Sequence, residues 1–381
     1  MWSISVGALL PNIDPDGLLE YSVVFTDRSL NHMSQSFQSA MNDISRGLKR
    51  AYKATSVVVI PGGGTFGMEA VARQFASNKK CMVIRNGWFS YRWSQILDQG
   101  NIAAETTVIK AQRDQNNLEA AFYPSNISDV VKQIKILKPE VVFAPHVETS
   151  AGMLLPDEYI EEVTQAVHSV GGIFVLDCVA SGALWVDMKK TNVDVLISAP
   201  QKGWSSSPCS GLVMLGDTAA KLIRETKSSS YVCDLLKWLQ IMEAYENGGH
   251  AYHSTMPTDS LAKFRDTLVE TENYGFEKTK QEQIDLGQRV RNLLESKGFK
   301  SVAAKGFQAP SVVVSYTDDP DVKSGKVFIE QGLQIAAGVP LECDEGENFM
   351  TFRIGLFGLD KLHNIERTVN HLKIALDKIR P

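Results

Sequence analysis

The chain has no run of about eighteen uninterrupted apolar residues, the length a helix needs to cross a bilayer. Its apolar start, Met1 to Leu10, lacks a basic flank and meets Pro11, Asp14, Pro15 and Asp16 at once, so neither a signal peptide nor a span is expected. Cysteine is scarce: Cys81, Cys178, Cys209, Cys233 and Cys343 are widely spaced, odd in number and never in a CxxC pair. That excludes a disulfide framework and a zinc set, and it suits reduced thiols in the cytoplasm. Positive charge is short as well, with a formal net charge of -5 and no basic block longer than doublets such as Lys79-Lys80 and Lys189-Lys190. Nucleic acid is not an expected partner. No internal repeat and no low-complexity linker divides the chain.

What is present is ordinary globular composition, 44% hydrophobic and 22% charged over 381 residues, enough for a large core or two domains. Residues 21–25 read as a strand. Ser34 then stands where it can cap a helix from Phe37 to Ala51, with Phe37, Met41, Ile44, Leu48 and Ala51 on one face. Short apolar, β-branched runs recur at 56–60, 80–84, 140–143, 172–177 and 193–197, each opening into a polar or glycine-containing loop. Phe66, Val71 and Phe75 supply the packing face of a helix after the first of them. This alternation predicts an α/β fold with a doubly wound, mostly parallel sheet, and 211–215 returning antiparallel. Residues 231–245 read as helix, and a long helical pattern runs from 264 to 296. A smaller α+β part follows, with strands at 311–316 and 350–358, an apolar stretch at 335–339 and a last helix at 359–379. The divisions expected are an N-terminal segment 1–30, a large domain 31–265 and a small domain 266–381.

The loops after those strands hold the chemistry. Pro61-Gly62-Gly63-Gly64-Thr65 turns straight into a helix, so backbone N–H groups and the helix dipole converge in a way that suits phosphate; a ligand-free glycine turn fits the same residues. No lysine follows Gly67, so this is not a P-loop. Trp88 and Phe89 follow an Asn-Gly turn, where a ring can lie on a planar ligand or pack in the core. His146, Glu148, Thr149 and Ser150 crowd together directly after an apolar strand. Asp177 ends the next strand, where a carboxylate serves either a helix cap or a ligand. Lys202 follows the strand after that. A loop lysine is ordinarily solvated; at a strand end it can be desolvated, which lowers its pKa and frees a lone pair for Schiff-base chemistry. Arg353, inside an apolar strand, is either a paired structural charge or a carboxylate clamp.

Taken together, the glycine turn, the aromatic turn, Asp177, Gln201-Lys202, Tyr252-His-Ser-Thr255-Met-Pro257 and Phe352-Arg353-Ile-Gly resemble the class V aminotransferases of pyridoxal-phosphate fold type I, in particular the alanine–glyoxylate and serine–glyoxylate branch. The resemblance covers about Asn31 to Gly358. It implies a large domain built on the parallel sheet, a smaller C-terminal α+β domain, and pyridoxal 5'-phosphate as cofactor. Lys202 would form the internal aldimine and move the substrate α-proton, and Asp177 would pair with the pyridine nitrogen. Gly63, Gly64, Thr65 and Gln201 would hold the phosphate, with Tyr252 and Thr255 reaching it from the other subunit of a homodimer. Phe89, or its neighbour Trp88, would stack on the ring, Thr149 would contact the cofactor near its phenolic oxygen, and Arg353 would bind the substrate carboxylate. The expected reaction is amino transfer from a small amino acid of alanine or serine type to a small 2-oxo acid, glyoxylate or pyruvate. The family's usual N-terminal substrate loop is replaced here by the segment from Gly7 to Gly17, so the donor is the least transferable part.

Three rivals remain. A 2-aminoethylphosphonate-type transaminase shares the scaffold. A lyase or desulfurase would need a mobile-loop cysteine as sulfur acceptor, for which Cys343 is the candidate. A nucleotide-binding regulatory protein would use Gly62 to Gly64 alone.

Overall fold

A computed structural model describes residues 18–380. The expectations for Met1 to Leu10 and for the segment from Gly7 to Gly17 lie outside the described residues. Ser34 Oγ accepts from the Phe37 N–H and starts helix α1 (Gln35–Tyr52), whose Phe37, Met41, Ile44 and Leu48 are all buried. After it come β1 (Ser56–Pro61), α2 (Gly64–Phe75), β2 (Lys80–Arg85), α3 (Trp88–Gln99), β3 (Glu105–Lys110), α4 (Ile127–Leu137) and β4 (Val141–Pro145). A small hairpin, β5 (Val147–Glu148) and β6 (Met153–Leu154), precedes α5 (Asp157–Ser169), β7 (Ile173–Asp177), α6 (Met188–Thr191), β8 (Val195–Ser198) and β9 (Ser210–Leu215). Helices α7 (Asp217–Leu222), α8 (Leu235–Glu246), α9 (Thr258–Tyr274) and α10 (Phe276–Ser296) lead to the C-terminal part. That part holds β10 (Val312–Tyr316), α11 (Pro320–Ser324), α12 (Lys326–Glu330), β11 (Ala336–Ala337), β12 (Thr351–Gly355), α13 (Leu359–His363) and α14 (Ile365–Ile379).

Seven strands form one sheet in the order β1-β9-β8-β7-β4-β2-β3, and β9 runs antiparallel to both its neighbours. The rest is parallel, as the alternating pattern predicts. Every residue of β4, β7, β8 and β9 is buried, so both faces of the sheet are covered. Pro145 pairs in register with Asp177, and Asp177 with Ile197, so three parallel strands end level. The loops beyond that edge carry Thr149, Gln201 and Lys202. A separate three-stranded antiparallel sheet, β10-β12-β11, sits in the C-terminal part.

Several sequence expectations fail for identifiable reasons. Residues 21–25 form no strand; Tyr21 and Val23 are exposed, and the Glu20 carboxylate ties the segment by accepting from Ser22 N–H and Asn31 Nδ2. Phe66 is half exposed instead of packing. The pattern from 264 to 296 belongs to two helices, because Gly275 adopts φ 106°, which ends α9 and starts α10. The last helix breaks likewise at Asn364. The helix expected over 231–245 starts at Leu235, where Asp234 caps it by accepting from the Lys237 N–H. Strand β3 and helices α4 and α5 carry patterns that the sequence reading left unassigned.

Candidate active site

Asp177 is the last residue of β7 and is only 8% exposed. Its Oδ1 accepts from the Val179 N–H at 2.9 Å, a bond within its own turn, and the next helix begins only at Met188. It therefore caps no helix. Burial pushes its carboxyl up to about 6; Glu148 adds to the rise, while the Val179 N–H, Arg92 and Lys202 oppose it. Lys202 follows the adjacent strand, β8, and is half-buried with Nζ 4.9 Å from the centre of the Phe357 ring. Burial, then Arg353 and Arg92, hold this amine below its ordinary range, and Asp177 pulls the other way. The turn is fixed from both ends: Ser205 N–H donates to the Lys202 carbonyl at 3.1 Å, and Ser205 Oγ accepts from Leu359 N–H of α13 at 2.6 Å.

Phe89 is positioned by a buried carboxylate. At Gly87, just before α3, a Cβ would fall 2.1 Å from Ser150 Oγ, so only glycine lets the hairpin approach the helix end. Glu148 Oε1 accepts from Phe89 N–H at 3.2 Å, Ser150 N–H at 3.1 Å and Ser150 Oγ at 2.7 Å. Its Oε2 accepts from Ser90 N–H and Ser90 Oγ, both at 2.8 Å. A carboxylate there satisfies helix N–H groups and complements the dipole. The crowded segment thus divides its work. Glu148 and Ser150 hold α3, and His146 Nδ1 pairs with Ser181 Oγ at 2.7 Å, its ring pushed down to about 4 by burial. Thr149, 7% exposed, has a hydroxyl with no hydrogen bond among the described residues.

Two guanidinium groups lie near the Phe89 ring, Arg92 5.2 Å and Arg353 5.6 Å from its centre. Trp88 leans instead on Tyr91, ring centres 5.7 Å apart. Arg353 Nε donates to the Ala337 carbonyl at 2.8 Å across β11 and β12, and burial holds its guanidinium below the ordinary range. Among the described residues neither arginine has a carboxylate partner, which removes the structural ion pair left open for Arg353. Sequence reading assigned no role to Arg92. The available signal was its helical spacing, one turn on from Phe89.

The glycine turn forms the remaining wall. Gly63 caps α2 without a side chain, and a Cβ built on it would meet nothing within 4 Å. The first N–H groups of α2 are left for an outside acceptor. Thr65 Oγ1 accepts from Arg92 Nη1 at 2.9 Å, and Gln201 Oε1 is buried with no partner. Tyr252 and Thr255 are exposed, bonded to each other at 3.1 Å, and form no hydrogen bond to Asp177 or Lys202 among the described residues.

All five cysteines are free and buried. Cys343, 2% exposed, has its thiol pushed up to about 12 by burial and lies 3.4 Å from the Arg85 carbonyl. A sulfur acceptor needs an accessible thiolate, so Cys343 does not suit a desulfurase. Size alone does not mark the site: a cavity of about 770 Å³ lined by Trp185, Lys280, Arg291 and Lys305 does not include Lys202. Among the described residues no helix is long and apolar enough to cross a membrane, and no His, Cys, Asp and Glu cluster could hold a metal ion.

A family model described as aminotransferase class-V matches residues 18–343. The chain is 24% identical to an alanine–glyoxylate aminotransferase of Oryctolagus cuniculus, over 91% of this chain and 86% of that protein. It is 26% identical to a 2-aminoethylphosphonate–pyruvate transaminase of Vibrio vulnificus, over 84% and 83%. Its fold is similar to the crystal structure of an alanine–glyoxylate aminotransferase from Nostoc sp., with TM-score 0.77, 19% identity and coverage of 91% and 88%.

Proposed function

This chain belongs to the class V aminotransferase family, and on that footing we propose that it carries an amino group from a small amino acid of alanine or serine type to glyoxylate or pyruvate, in two half-reactions. One observation carries the reading. A buried carboxyl held at about 6, Asp177, and an amine held below its ordinary range, Lys202, leave adjacent strand ends and feel each other's charge.

Pyridoxal 5'-phosphate fits the groups present: an uncapped helix end whose N–H groups suit its phosphate, and a carboxyl short of partners that suits its ring nitrogen. When bound, it supplies an aldehyde that captures amines and a ring that absorbs the electrons of a deprotonated α-carbon. We assign Gly63, Gly64, Thr65 and Gln201 to its phosphate, the Phe89 ring to its face and Thr149 to the side of its phenolic oxygen. Asp177 takes the ring nitrogen, because a cationic N–H offers the buried carboxylate a hydrogen-bonded countercharge, where Arg92 and Lys202 act on it only through their charge. Lys202, its proton made labile by burial and two guanidiniums, anchors the cofactor and then accepts the α-proton of the bound amino acid. Arg353 forks onto the substrate carboxylate with two parallel hydrogen bonds. Exposed Tyr252 and Thr255 bond to each other at the surface, where the pair would be accessible to a partner's phosphate, which supports a homodimer; buried, unpaired cysteines suit a reducing cytoplasm.

The two named relatives differ in acceptor, so a donor panel run against both glyoxylate and pyruvate is the direct test, with 2-aminoethylphosphonate among the donors. An absorbance band near the visible edge should bleach on adding the true donor and return with the acceptor. In Lys202→Ala that cycle should fall by roughly 10⁴-fold with the melting temperature unchanged. Substantial turnover in that variant overturns the assignment.

A further inference from the structure

Two guanidiniums without an ion-paired carboxylate among the described residues lie near one aromatic ring, beside an amine whose positive charge is already disfavoured. Neither guanidinium has an anion in contact, and Glu148, which acts on Arg353 through its charge alone, has its oxygens taken up by the end of α3. Two anions are therefore wanted, one for each arginine. Arg353 belongs to β12, in the C-terminal sheet. Arg92 belongs to α3 and bonds at 2.9 Å to Thr65, the second residue of α2, on the glycine-turn side of the ring. Of its five N–H donors that is the one hydrogen bond formed among the described residues, so most of the fork has donors to spare.

We propose that Arg92 is an additional anchor for the cofactor's phosphate, completing with Thr65 and the α2 terminus a cradle that the glycine turn begins. Arg92 and Arg353 then sort two anions to opposite edges of Phe89: phosphate on the α2 side, substrate carboxylate on the β12 side. The stacking of Arg92 on Phe89, 5.2 Å from its centre, holds the fork while leaving its donors open. This inference rests on the pyridoxal-phosphate reading above, and its test separates the two.

Cofactor-free wild type and Arg92→Gln are titrated with pyridoxal 5'-phosphate and with pyridoxal, which lacks the phosphate, following tryptophan fluorescence. Arg92→Gln should weaken binding of the phosphorylated form by roughly ten- to a hundredfold, the scale of one charge-assisted hydrogen bond, and leave pyridoxal binding unchanged. Inorganic phosphate, which should slow reconstitution of the wild type, should lose that effect in the variant. Equal weakening of both aldehydes, or no weakening of either, overturns the proposal. So does a raised KM for the amino donor with cofactor affinity intact, since that assigns Arg92 to the substrate. Should Arg92→Gln not fold, Arg92→Lys carries the same test, with about a tenfold loss confined to the phosphorylated form. If the wild type binds neither aldehyde, the cofactor reading itself has failed.

Discussion

Glu148, in the hairpin after β4, and Asp177, at the end of β7, are carboxylates of one buried edge, 0% and 8% exposed, yet their surroundings treat them oppositely. Glu148 accepts five hydrogen bonds from the start of α3 and its own loop, so its charge is fully engaged in holding backbone. Asp177 accepts one, from Val179, and burial without further partners lifts its carboxyl to about 6. Burial is therefore no guide to role; the count of satisfied acceptors is. A fully bonded buried carboxylate builds the fold, whereas an under-bonded one keeps acceptor capacity that a charged partner could use.

Asp177→Asn tests that contrast with the largest expected effect. Amino transfer should fall by about 10²–10³-fold, since an amide cannot neutralise a ring nitrogen. Stability should move the other way in the cofactor-free protein. The folded carboxyl titrates above its ordinary 3.8, so its favourable contribution is complete below that value and is lost as pH climbs to about 6. The amide stays neutral throughout and still offers an oxygen to Val179. At pH 8 the variant should be more stable than wild type by about 1–3 kcal/mol in urea unfolding, an advantage that shrinks as pH falls from 6 towards 4. A loss of stability at pH 8 would put Asp177 in the same class as Glu148.

Glu148→Gln should do the reverse. Removing the charge and one acceptor leaves buried N–H groups of α3 unpaired and should cost about 2–4 kcal/mol, read from the same unfolding curves. Activity should fall only as α3 loosens, through weaker cofactor retention. If this variant keeps wild-type stability but loses turnover, the distinction between the two carboxylates is gone.

The sequence displayed the large sheet well because its strands are buried on both faces, which makes each a continuous apolar run ending in a polar loop. Strand β3, at the sheet edge and only partly buried, has no such run, so residues 105–110 do not read as a strand. Helix boundaries failed where one residue's backbone overrode the pattern, as at Gly275. Among the proposed site residues, Asp177 and Lys202 stand out in the sequence because strand ends are places where charge is unexpected. Arg92 does not, because an arginine on an amphipathic helix looks like any solvated face until Thr65 is found beside it. Glu148 was noticed for its company, but its task depends on a glycine at position 87 that admits it to the helix end.

Cys343 extends the contrast to a smaller effect. Its loop is held by a third carboxylate, Glu345, which accepts from the N–H groups of Leu341, Glu342 and Cys343 at 2.5, 3.1 and 2.8 Å. That is the pattern of Glu148, a charge engaged by backbone, and it fixes the thiol in the core with its ionisation suppressed. Cys343→Ala should accordingly cost about 1 kcal/mol as a small cavity, with amino transfer changed by less than about twofold. With cysteine as the offered substrate, neither wild type nor variant should release sulfide. Sulfide release that vanishes in Cys343→Ala while stability holds would move this residue to the side of Asp177, and with it the reaction from amino transfer to desulfuration.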